Sequence, residues 1–187
     1  MSLPTPTPGR TALLVVDVQN EAVRRGPYRG DRVLRNIARL IEVARAAGVE
    51  VIHVQHDEPP GEPGEPGTEP WEIHASVRPE PGEKRVRKRF NSAFRDTDLL
   101  AYLRQGGVGT LVLVGIQTEY CVDTTCRVAF EYGFRVILPE WTNTTYDNGD
   151  VPARQIHELF NRRIFAGRFA EVPPMEVAVR ALQEAGG

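Results

Sequence analysis

The chain has 187 residues, 41% hydrophobic and 26% charged, with a formal net charge of -2. This suits one globular domain over 1–187 and leaves no basic footprint for nucleic acid. No run approaches the ~20 apolar residues of a membrane span, and two cysteines are too few for a disulfide framework, so a reduced, cytoplasmic setting is expected.

Met1–Arg10 carries Thr and Pro instead of a secretion signal and reads as a flexible tail. Thr11–Val18 is a short apolar run of the kind that fills a covered parallel sheet. In Asp31–Ala47, Val33, Leu34, Ile37, Leu40, Ile41 and Ala44 form a helical stripe, which Gly48 ends in the left-handed conformation. Val49–Val54 is a second strand. Residues 58–70, rich in Pro, Gly and Glu, form a surface loop. The basic run Lys84–Arg89 reads as a solvated face. Asp96–Gln105 is a helix capped by Asp96 or Thr97 and closed by Gly106-Gly107. Thr110–Ile116 is a third buried strand that turns directly into a helix running through Tyr132 to Gly133. Arg135–Leu138 is a strand, Pro152–Phe165 a helix, Phe169–Val172 a last strand and Met175–Gln183 a closing helix. Strands alternating with helices predict a three-layer α/β/α sandwich around a mostly parallel, Rossmann-like sheet.

In such sheets the ligand crevice lies beyond the carboxyl ends of the strands. That rule selects Asp17–Asn20, the region after Val54, and Gly115–Cys121. Asp17 interrupts an apolar run and needs a partner; it reads equally as a general base or as a structural carboxylate. Cys126 falls on the packed face of its helix with Val122, Ala129 and Phe130, and reads as a small buried hydrophobe. Cys121 lies off that face at the helix start, where backbone N–H groups favour a thiolate, and reads as a nucleophile or as an incidental thiol. A cation beside such a pair would suit it, but spacing does not choose Lys88 over Arg85, Arg87 or Arg89.

Three segments together resemble the isochorismatase-like cysteine hydrolases. Ala12–Asn20 (ALLVVDVQN) is similar to the family's opening strand and its catalytic Asp. Val86–Leu99 looks like the family's Lys six residues before a Phe, followed by Thr-Asp-Leu. Gly115–Arg127 (GIQTEYCVDTTCR) resembles the nucleophile motif Gly-x-x-Thr-x-x-Cys-Val-x-x-Thr-x-Arg. The resemblance implies a catalytic triad of Asp17, Lys88 and Cys121. It also implies an oxyanion hole from the backbone N–H groups of Gln117 and Cys121, and a cis peptide at Ile116–Gln117.

The implied activity is hydrolysis of an amide or lactam C–N bond of a small molecule through an acyl-enzyme, in a homo-oligomer. No cofactor is implied, and no metal, because His53–Pro59 lacks the Asp-x-His spacing of the nicotinamidase metal site. Cys121 argues against the vinyl-ether chemistry of true isochorismatases, which lack that cysteine. Pro139–Thr142 stands where the family usually has an Asp. A metal-dependent nicotinamidase and a non-catalytic interaction domain are the alternatives.

The segment ending Trp71-Glu72-Ile73-His74 resembles the substrate loop of the streptothricin hydrolase-like branch. Candidate substrate-binding residues are Asn20, Trp71, His74, Phe94, Tyr120 and Trp141. Glu58, Glu62, Glu65 and Glu69 would favour a cationic substrate if their loop covers the site.

Overall fold

The computed structural model describes residues 9–186. Most of the tail read at Met1–Arg10 therefore lies outside the described residues, and Arg10 already belongs to a strand, its N–H donating to Gly107 O at 2.9 Å. Among the described residues six strands make one parallel sheet: β1 (Arg10–Val16), β2 (Glu50–His56), β3 (Lys84–Lys88), β4 (Val108–Ile116), β5 (Arg135–Ile137) and β6 (Asn143–Thr144). Their order is β3-β2-β1-β4-β5, with β6 pairing to the last residues of β4. The helices are α1 (Asn20–Arg24), α2 (Gly30–Ala46), α3 (Leu99–Gln105), α4 (Asp123–Glu131), α5 (Ala153–Leu159) and α6 (Met175–Ala185). Among the described residues no helix is long and apolar enough to cross a membrane.

The pleat of β1 explains the three layers. Ala12, Leu14 and Val16 point to one face and pack with Leu99, Leu103, Cys126 and Ala129 of α3 and α4. Leu13 and Val15 point to the other and pack with Val33, Ile37 and Leu40 of α2 and Leu182 of α6. Each such fully buried Leu or Ile contributes about 1.5–3 kcal/mol. Helices on both faces are why the strands read as unbroken apolar runs. The winding reverses between β1 and β4, so the chain leaves those two strands in opposite directions at their carboxyl ends and opens a crevice there.

Several elements differ from the sequence reading. The basic run is not a solvated face but the edge strand β3: Val86 and Lys88 are buried while Arg85 and Arg87 are exposed. The helix expected from Asp96 starts only at Leu99. Asp96 takes a left-handed φ of 55°, and Thr97 Oγ1 instead accepts from Leu99 N at 3.3 Å. The helix expected over Pro152–Phe165 passes at Phe160 into a π-helical turn. There Asn161 exchanges side-chain hydrogen bonds with Asn143 at 2.8 and 3.1 Å. Phe169–Val172 supplies two isolated bridges, Ile137 to Glu171 and Ala166 to Ala170, instead of a strand. Residues 59–72 form a chain of turns in which the N–H groups of Glu62, Glu65, Thr68 and Trp71 each bond the carbonyl three residues back.

Candidate active site

The polar residues at the strand ends converge. Asp17 directly follows β1, and its backbone leaves the strand with a left-handed φ of 53° while its N–H holds Val54 O at 3.0 Å. The carboxylate so placed is 7% exposed. Lys88 ends β3 beside His56 of β2, with which it is in register, and its side chain runs under the strand ends, only 2% exposed. Its Nζ lies 2.6 Å from Asp17 Oδ2, 2.9 Å from His56 Nδ1 and 3.3 Å from Cys121 Sγ. Asp17 Oδ1 is buried and has no hydrogen-bond partner among the described residues.

Cys121 follows β4, but not on a regular helix. The Ile116–Gln117 peptide is cis, and Thr118–Val122 form a π-helical turn closed by Val122 N to Gln117 O at 3.1 Å. Thr118 Oγ1 donates to Asn143 Oδ1 at 2.7 Å and anchors the turn from below. At Gly115 the two central strands meet so closely that a Cβ would lie 2.0 Å from Val16 O. The glycine is therefore a requirement of this close approach.

The ionisation pattern follows from burial and charge. Burial, and then the Asp17 charge, push the Cys121 thiol well above its ordinary range, against the pull of Lys88. The regular helix start expected to favour a thiolate is here a π-turn, and the sulfur on it stands in the balance between burial and Lys88. Burial lowers Lys88, but the charges of Asp17 and Cys121 outweigh it and hold the ammonium above its ordinary value. Burial and the Lys88 charge push His56 down. Oxygen, nitrogen and sulfur atoms of Asp17, His56 and Cys121 lie within 4.8 Å of one another, a spacing that a cation could use. The Lys88 ammonium already contacts all three, so this donor set fits proton chemistry better than a bound metal.

A crevice of about 240 Å³ opens over Cys121 and Asp17. Of the six candidate substrate-binding residues only Tyr120 lines it. Asn20 is occupied by Glu69, donating to its carbonyl at 2.9 Å and its carboxylate at 2.8 Å. Trp71 donates to Asp57 Oδ1 at 2.9 Å, behind the wall. His74 caps the short 3-10 turn Ala75–Val77 through Ser76 N. Phe94 is core, in aromatic contact with Tyr132 and Phe134. Trp141 stacks on His157 at 4.9 Å over the start of α2, away from Cys121. In these five the aromatic or polar character serves packing or loop anchoring. Sequence reasoning missed the actual lining residues His56, Asn91, Arg25 and Tyr146. Of the four loop glutamates only Glu58 lines the crevice, joined there by Glu21 and opposed by Arg25. Glu69 is instead paired with Arg24.

With this geometry in view, comparison with known proteins defines the class. The family model for the Isochorismatase domain matches residues 11–171, and the chain belongs to the isochorismatase family. Among its relatives is a streptothricin hydrolase of Streptomyces noursei, 43% identical over 138 residues, which are 73% of this chain and 55% of that protein. The chain thus spans about half the length of the streptothricin hydrolases it matches. A ureidoacrylate amidohydrolase of Methylorubrum extorquens is 31% identical over 90% of this chain and 82% of its own. Among solved structures, a cysteine hydrolase from Pseudomonas syringae pv. phaseolicola superposes with a TM-score of 0.87 at 25% identity. That match covers 99% of this chain and 98% of the other.

Proposed function

We propose that this chain is a cysteine hydrolase that cleaves an amide or lactam C–N bond of a small molecule, with Cys121 as nucleophile, Asp17 as general base and acid, and Lys88 as a fixed cation. One observation carries the reading. Asp17 has one oxygen held by Lys88 and the other buried without a hydrogen-bond partner among the described residues, in a carboxylate that lies within 4.8 Å of the Cys121 sulfur. A buried acceptor left without a partner costs about 1–3 kcal/mol, which a base recovers when it takes the proton.

In the proposed cycle Asp17 Oδ1 takes the Cys121 proton as sulfur bonds to the acyl carbon. The negative charge that reaches the carbonyl oxygen faces the N–H groups of Gln117 and Cys121. Collapse breaks the C–N bond, and the proton on Asp17 passes to the departing nitrogen. Water then attacks the thioester and gives its proton to Asp17. Collapse of this second intermediate expels the thiolate, which recovers the proton. Lys88 keeps its charge throughout, so the buried negative charge is compensated whether it sits on carboxylate or sulfur. The names of the streptothricin hydrolase and the ureidoacrylate amidohydrolase support hydrolysis, and a reduced cytoplasmic setting suits a free thiol.

The test is release of amine or ammonia from streptothricin, ureidoacrylate and nicotinamide, or formation of the ring-opened amino acid where a lactam is cleaved, with simple lactams in the same panel and mass spectrometry of the quenched enzyme. The wild type is expected to turn over at least one of these and to carry an acyl mass on Cys121. Cys121→Ala is expected to lose about 10⁴-fold or more in kcat. Wild-type turnover in Cys121→Ala would remove the nucleophile from the proposal.

A further inference from the structure

The three hydrogens of an ammonium call for three acceptors, and Lys88 has three. Asp17 Oδ2 lies at 2.6 Å and Cys121 Sγ at 3.3 Å; the remaining partner is His56 Nδ1 at 2.9 Å. Asp17 and Cys121 have parts in the reaction, whereas His56 has none so far. It is nevertheless placed with care. It ends β2 in register with Lys88, its N–H donates to Gln19 Oε1 at 2.8 Å, and its carbonyl accepts from Gln19 Nε2 at 3.0 Å.

The two ring nitrogens have opposite surroundings. A charged Lys88 can only donate, so Nδ1 must offer its lone pair. On the far side Nε2 faces Glu58 Oε1 at 3.6 Å, an acceptor toward which it can point a hydrogen. Only one neutral tautomer satisfies both neighbours. A proton on Nδ1 would set two donors against each other at 2.9 Å. Burial and the Lys88 charge, which push His56 below its ordinary range, agree with a neutral ring.

We propose that His56 is a positioning residue that, as the Nε2–H tautomer, takes the third hydrogen of Lys88 and so fixes the ammonium on Asp17 and Cys121. Without that acceptor the third hydrogen must find water or substrate in the crevice, and the amine turns away from the sulfur to reach it. The thiolate then loses its nearest cation. His56 also shields the lysine from the crevice that it lines, so the oxyanion meets backbone N–H groups and not a mobile ammonium. The consequence for Cys121 rests on the cysteine-hydrolase reading; the tautomer does not.

Two measurements test this. Long-range 1H–15N spectra of the wild-type protein, with His56 assigned by its loss in His56→Asn, are expected to show Nδ1 bare and Nε2 protonated at neutral pH. A protonated Nδ1 overturns the proposal. Separately, alkylation of Cys121 by iodoacetamide is followed against pH, the adduct being located by mass spectrometry. Asn carries its amide oxygen where imidazole carries Nδ1, whereas Gln places its amide where Nε2 lies. His56→Asn should therefore alkylate within about threefold of wild type. His56→Gln and His56→Leu should be slowed by about tenfold at fixed pH, with their curves moved to higher pH. A wild-type profile in His56→Leu, or rescue by Gln and not by Asn, overturns the proposal. If His56→Leu does not fold, the Asn and Gln pair and the wild-type spectrum still decide. Because neither readout needs turnover, failure here is distinguishable from failure of the Cys121→Ala test.

Discussion

Lys88 and Asp17 are worth more together than either is alone. Both lie in a low-dielectric pocket, where removing one partner of an ion pair costs about 3–5 kcal/mol and removing both costs far less. Lys88→Met leaves a buried carboxylate without its cation and should lower stability by about that amount; Asp17→Asn leaves the ammonium without its anion and should do likewise. The double variant, a neutral pair of similar volume, should regain at least half of the summed loss while remaining inactive and slow to alkylate at Cys121. Urea unfolding of the four proteins closes the cycle. Additive losses would show that the two side chains do not share a desolvated contact.

Between elements, the decisive contact is the one at which β1 and β4 touch before separating. Gly115 has φ of 139°, and an added Cβ would meet Val16 O, C and N at 2.0, 2.8 and 2.9 Å. All three are backbone atoms that cannot rotate away. Gly115→Ala should therefore cost roughly 2–5 kcal/mol through overpacking and strain, and should force apart the two strand ends that carry Asp17 and the nucleophile turn. Its urea midpoint and Cys121 alkylation rate should fall together; a variant that keeps both would show that this approach is loose. The sequence displayed β1, β2, β4 and α2 plainly, because strands covered on both faces are continuously apolar and α2 keeps a clean stripe. Gly48 likewise takes the left-handed φ, 70°, expected of its place after the helix. β3 was hidden because an edge strand holds back aggregation with charge, leaving Val86 as its one apolar residue. Its alternation was nevertheless an available signal: Arg85 and Arg87 point outward while Lys84, Val86 and Lys88 share the other face, with Lys88 at the carboxyl end. The π-turn at Cys121 has no such signal, since it depends on a hydrogen bond to Gln117 that local propensity does not encode. His56 could be read as a strand end, but its partner Lys88 was legible only once β3 was known.

Across the whole molecule, the candidate site draws on the ends of β1, β2, β3 and β4, so its integrity follows global stability, and that stability should depend on pH. Three of the four histidines, His53, His56 and His157, are pushed below their ordinary range, each chiefly by burial. The unfolded chain then binds protons more readily than the folded one. Their contribution is complete above the unfolded value near 6.5 and is lost as pH falls below it, each group adding a slope of up to about 1.4 kcal/mol per pH unit within its window. Glu83 acts in a separate, more acidic window. Although burial opposes its ionisation, Arg45, the Glu80 backbone and His53 hold its carboxyl at about 2, so its contribution is lost as pH falls from about 4.5 toward that value. Because His53 Nε2 lies 3.0 Å from Glu83 Oε2, protonating His53 first strengthens that contact, and its slope should be shallower than that of His157, which lacks such a partner for Nε2 among the described residues. Urea midpoints should thus be level from pH 8 to 7, fall from pH 6.5 to 5, and fall again below pH 4.5. Replacing His157, wedged between Tyr28 and Trp141, by Phe should flatten the first fall more than His53→Gln does. Midpoints that stay level from pH 7 to 5 would mean that the buried imidazoles titrate alike in the folded and unfolded chain.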